Sequence, residues 1–208
     1  MKRTVFTLGT AAICVTGAVA VSVGAIERTG TIEAVYTNDG VNDLVTFTPG
    51  GELVQPEGYR RWVFVGSSVT PHDMNDGSAV FPEHHNTYLD PDSVDHYAET
   101  GEFRDGAILI KDLLSVGGKQ SASGHGYFQG EHTAMGVMIK SAARFPDAPG
   151  NWGYFAFDRD PEADRTRARP SAKEVGSSCI GCHGFADTDS VFTGHYPVLR
   201  AMRDARPD

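Results

Sequence analysis

Cys179, Cys182 and His183, within Cys179-Ile180-Gly181-Cys182-His183, are the residues whose types and spacing could do chemistry. Two thiols three positions apart on a helix share one face, and the next residue can turn an imidazole toward whatever the thiols hold. Cys-x-x-Cys-His is the spacing that attaches a haem through two thioethers, with the histidine as axial iron ligand. Two other readings compete with haem c. A structural zinc site takes four protein ligands, and the sequence has no second cysteine pair to complete them. A redox dithiol belongs after a strand in a βαβ unit, whereas this motif lies near the chain end behind a polar stretch.

A helix must carry the motif. Pro170, then Ser171 with Glu174 as a Ser-x-x-Glu capping box, predicts its start, and Gly184 its stop. Gly176 and Gly181 predict short, loose turns. Upstream the sequence reads as strands: Arg61 to Gly66, Thr87 to Leu89, Met135 to Ala142 and Trp152 to Phe157. Asp90-Pro91 predicts a helix to about Thr100, with Val94 and Tyr97 on one face and Gly101 as its stop. Pro197 opens a last helix with Leu199 and Met202 facing inward. The stretch Gly106 to Gly117 is apolar on both alternating faces, the mark of a central strand. Lys111 and Asp112 lie inside it, where a charge is costly unless partnered or used. Spacing alone favours a lysine whose amine snorkels out to water. Gly117 to Gly126 reads as a loop without its own order, and Asp158 to Pro170 as a solvated linker. If the motif holds haem, an apolar cavity is expected between the 106 to 116 strand and His183.

The 208 residues, 40% apolar, are enough for one domain with a full core. Residues 1 to 25 read as an export signal, with Lys2 and Arg3 before an apolar run from Val5 to about Val23, and an uncleaved anchor is the alternative. Residues 26 to 54 carry little periodic signal and read as a linker with one strand at Leu44 to Phe47; the haem domain is placed at 55 to 205. Cys14 leaves with the signal, so both remaining cysteines sit in the haem motif, as suits an oxidising periplasm. Losing Lys2 and Arg3 moves the net charge from -9 to 16 minus 27, or -11. That balance excludes a nucleic-acid surface and suits a basic redox partner, such as a basic c-type cytochrome. Strands before the motif also separate the chain from helical electron carriers and four-helix cytochromes c′.

The stretches "GYRRWVFVGSSVTP", "YLDPDSVDHYAETGEFRDGAILIKDLLSVG", "SGHGYFQGE", "RFPDAPGNWGYFAF" and "VFTGHYPVLRA" run in one order with the haem motif. On these, residues 58 to 200 resemble the cytochrome P-460 family. The resemblance implies an α+β fold, mainly antiparallel β-sheet with a few short helices and a C-terminal haem-attachment helix, usually as a homodimer. It implies a five-coordinate c-type haem held by Cys179 and Cys182, with His183 as proximal ligand. Lys111 matches the lysine bonded covalently to the porphyrin edge in that family, which replaces the snorkelling reading. The implied activity is oxidation of hydroxylamine to nitrous oxide, or to nitric oxide and nitrite. Active members carry a distal glutamate at or near Gly136, so the proton acceptor is missing here; Glu131, and His85 where a close relative has arginine, are the remaining catalytic candidates. The alternatives are a nitric-oxide-binding protein like the cytochromes c′-beta, which share the fold without the cross-link, and a simple electron carrier.

Overall fold

Alternating apolar residues demand a sheet with two covered faces, and that is the frame of the molecule. The computed structural model describes residues 41–158 and 171–206. Its strands and α-helices run in the order β1 (Leu53–Val54), β2 (Val63–Thr70), β3 (Glu83–Leu89), α1 (Pro91–Thr100), β4 (Ile108–Val116), β5 (Gln120–Ser121), β6 (Gly124–His125), β7 (Gln129–Lys140), β8 (Trp152–Asp158), β9 (Ser171–Ala172), α2 (Ser177–His183) and α3 (Pro197–Asp204). Five of them form one antiparallel sheet in the order β2-β3-β4-β7-β8. The fold is α+β and mainly antiparallel. As its two-sided apolar pattern predicts, β4 is the central strand.

Each face of the sheet has its own cluster. Ile108, Ile110, Val137, Ile139 and Phe155 pack on one side with Phe47, Leu53 and Tyr59. Leu89, Leu109 and Tyr154 pack on the other with Val94 and Tyr97 of α1 and Leu199 of α3. Asp90 ties this second layer together, since its wholly buried carboxylate accepts the N–H of Ser93 at 3.0 Å as N-cap and that of Ile108 at 2.8 Å. Arg104 donates to it at 3.0 Å and keeps the charge paired. Gly101, at φ 78°, ends α1 where expected.

Four readings need correction. Ser171 and Glu174 do not cap the motif helix: Ser171–Ala172 pairs with β1 and Glu174 bridges Phe155 of β8, so sheet ladders satisfy this backbone and the helix starts after Gly176. Residues 117 to 126 are not without order, because Gln120–Ser121 and Gly124–His125 form a small hairpin. The strand expected from Met135 begins at Gln129, its first half being polar and hidden from a hydrophobic pattern. From Val41 on, the stretch read as linker supplies Val41, Val45, Phe47, Leu53 and Val54 to the core. The export signal, residues 26 to 40 and the 159 to 170 linker lie outside the described residues.

Candidate functional site

Helix α2 is short and glycine-started, so tertiary contacts must hold it. Cys179 and Ile180 pack against the second core cluster, and Gly184 closes the helix by donating to Ile180 O at 2.9 Å. Both cysteines are free thiols, Cys182 exposed and Cys179 half-buried. His183 is oriented with care. Its Nδ1 lies 2.7 Å from the carbonyl oxygen of Ser190. A carbonyl can only accept, so Nδ1 carries the proton and Nε2 keeps a lone pair for a metal. The ring sits between Tyr154, centroids 5.0 Å apart, and Phe192, 5.2 Å apart. Burial lowers the imidazole's proton affinity and keeps it neutral.

The Ser190 carbonyl is held in place at a cost. Asp189 and Ser190 have φ of 45° and 62°, a left-handed conformation that ordinary residues avoid, at about 1–3 kcal/mol each. A bridge between Thr188 and Val191 closes the turn, and Lys140 clamps it through Asp189. Strain held this firmly beneath one imidazole marks a site built around that imidazole.

A cavity of about 560 Å³ opens between α2 and the sheet, within the usual span of cofactor sites. Cys179, Cys182 and His183 line it from the helix, and Leu109, Lys111 and Leu113 from β4. This is the expected cavity between the central strand and His183. Its floor is a cross-strand row in which Thr87 pairs with Lys111, Lys111 with Gly136, and Gly136 with Ala156. Lys111 is half-buried, and its amine stands 5.4 Å from the ring centroid of Phe81 on the cavity wall. Among the described residues no hydrogen-bond acceptor or carboxylate meets that amine. The donors suit a haem: two thiols, one neutral imidazole with a free nitrogen, an uncommitted amine and apolar walls. Among the described residues no three His, Cys, Asp or Glu side chains converge as a metal site of protein ligands alone.

Cys179, Cys182, Lys111 and His183 thus meet at one cavity; His85 and Glu131 do not line it. His85 is buried on β3, where its Nε2 donates to the Phe81 and Pro82 carbonyls, both at 3.1 Å, and its ring packs 4.7 Å from Phe81. Burial first, then the nearby Lys111 charge, push its pKa down to about 4. It therefore braces the wall that Phe81 forms rather than touching the cavity itself. Glu131 is exposed toward the start of β7, beyond a register break at Leu113 and Leu114, and its backbone N–H donates to Ser115 Oγ. Asp112 points to the opposite face, where Tyr59, Arg60 and His132 satisfy it. Thr87, Tyr154, Phe192 and Ser190 escaped the sequence reading. Thr87 could have been found by strand alternation from His85, and the others by nothing local.

An antiparallel sheet carrying such a cavity, served from one short helix, defines a β-sheet haem protein. The Cytochrome P460 family model matches residues 56–193, and the chain belongs to that family. It is by that membership a haem-binding cytochrome. No curated protein matches the chain.

Proposed function

We propose that the protein is an exported mono-haem c-type cytochrome that oxidises hydroxylamine. The observation that carries this reading is the convergence of Lys111 with Cys179, Cys182 and His183 on one apolar cavity. Cys179 and Cys182 would each form a thioether, the S–H adding across a vinyl double bond. His183 would present Nε2 to the iron, its ring fixed by the Ser190 carbonyl and flanked by Tyr154 and Phe192. Lys111 is the residue for a third covalent bond, at the porphyrin edge, where an amine N–H and a ring C–H would give way to an N–C bond as two electrons and two protons pass to an oxidant such as a peroxide. The bound haem supplies an iron able to accept electrons from the substrate nitrogen. Phe81, Leu109 and Leu113 exclude water, which strengthens every polar contact made inside.

The product is nitrous oxide, or nitric oxide and nitrite; in either case the substrate's protons must leave, and Gly136 provides no base for them. Export to the periplasm, a homodimer and a basic electron acceptor complete the proposal, the last supported by the net charge of -9. Stopped assays of hydroxylamine with an electron acceptor test it. Turnover well above that of free haem is expected, and a rate no better than free haem overturns the enzymatic reading.

One observation favours a second reading. Gly136, with no carboxylate, suits a nitric-oxide-binding protein that need not move protons. The reduced absorption spectrum separates the two: a strongly red-shifted Soret band goes with the lysine cross-link, and an ordinary c-type band with nitric oxide binding.

A further inference from the structure

Thr87 is 1% exposed, and its hydroxyl meets no hydrogen-bond partner among the described residues. Buried polar atoms are nearly always paired, so this one requires an explanation. Two other buried side-chain atoms share the condition, His84 Nε2 and Trp152 Nε1, but neither residue lines the cavity, whereas Thr87 does.

Its place in the floor suggests what it serves. In the row Thr87, Lys111, Gly136, Ala156, the far end is β8, the strand whose Tyr154 packs on His183. Three strand spacings separate β3 from β8, roughly 14 Å at about 4.8 Å each. A haem held by Cys179, Cys182 and His183 would lie along this row, and Thr87 belongs to its β3 end, away from the β8 end on which His183 packs. The neighbouring wall is Phe81 and Leu113, which cannot hydrogen-bond through their side chains. Gly136 contributes no side chain, and His85 is committed to the Phe81 and Pro82 carbonyls.

We propose that the Thr87 hydroxyl is the polar anchor for the small nitrogen ligand, holding hydroxylamine through its N–H or O–H group on the cavity side opposite His183. A hydroxyl both donates and accepts, and so does hydroxylamine. The proposal rests on the functional reading above, and it names a group that orients the ligand where Gly136 supplies no carboxylate.

The test uses the haem-loaded protein with Thr87→Val, Thr87→Ala and Thr87→Ser. Hydroxylamine is titrated into the ferric form by absorption, and carbon monoxide into the ferrous form as a ligand that gains little from a hydroxyl. Val and Ala should weaken hydroxylamine about fivefold, the loss of one net hydrogen bond, and leave carbon monoxide within about twofold. Ser should bind hydroxylamine as the wild type does. The Val variant, relieved of an unpaired hydroxyl, should melt no lower than wild type. Unchanged hydroxylamine binding in both Val and Ala overturns this inference alone. Equal losses for both ligands also overturn it, since they indicate a packing role. Failure of the wild-type haem protein to bind hydroxylamine at all overturns the functional reading, and this inference with it.

Discussion

Gly136 stands directly across the β4–β7 ladder from Lys111, and a methyl group built on it would meet nothing nearer than the lysine's Cβ, at 4.0 Å. Its φ lies outside the left-handed region, so a side chain enters here without backbone strain. The family resemblance places the missing glutamate at or near this position, beside the amine and facing the cavity. Gly136→Glu should therefore fold and attach haem, and should raise hydroxylamine turnover by about a hundredfold, the lower end of what a positioned general base contributes. Steady-state kcat with a fixed electron acceptor checks it. No gain in a fully haem-loaded variant would show that proton removal is not what limits this chain.

Asp112 is the buried counterpart of Lys111 on the other face, accepting from Tyr59 and from His132 at 3.1 Å and pairing with Arg60 at 2.8 Å. Its carboxylate is 3% exposed, and its interaction raises the Tyr59 hydroxyl's pKa further after burial has done most of the work. Asp112→Asn should cost about 2 kcal/mol, because charge-assisted bonds are lost while the Tyr59 hydroxyl stays buried. For a domain of this size that lowers Tm by about 4–8 °C. Thermal melts check it, and haem attachment on the opposite face should be unaffected.

Stability should fall with pH from about 6.5 toward 4. His85, held near 4 by burial and by Lys111, takes up its proton in the unfolded chain at about 6.5. Between these values the unfolded state binds more protons, so stability is complete above the window and declines as pH drops through it. Burial shifts His84 and His183 in the same direction. The His85 share is on the order of 2–3 kcal/mol. His85→Gln keeps an N–H for the Phe81 and Pro82 carbonyls and should flatten the curve. Guanidinium unfolding at pH 7 and pH 4.5 measures this; an unaltered slope in the variant would assign the effect to other groups.

The sheet was legible where side chains alternate between two apolar faces, as in β4, and α1 was legible to the residue because Asp90, Pro91 and Gly101 act locally. The haem donors were legible from spacing. What escaped depends on distant chain segments. Ser171 and Glu174 look like a helix cap, yet partners in β1 and β8, far off in sequence, claim their backbone. The Ser190 carbonyl beneath His183 depends on a turn clamped by Lys140, fifty positions upstream, which no local pattern encodes. His85 was a candidate because a close relative has arginine at its position; the Phe81 ring packed on it and the Phe81 and Pro82 carbonyls that take its Nε2 decide otherwise.

The measurement closest to the central claim is tryptic mapping of the purified haem protein. Cleavage at Arg104, Lys111, Lys119, Lys173 and Arg200 would ordinarily release 105–111 apart from 174–200. With three bonds to one porphyrin, Lys111 resists cleavage, and residues 105–119 and 174–200 should emerge together as a single haem-bearing species. Recovery of a free 105–111 peptide, with haem on 174–200 alone, would contradict the account.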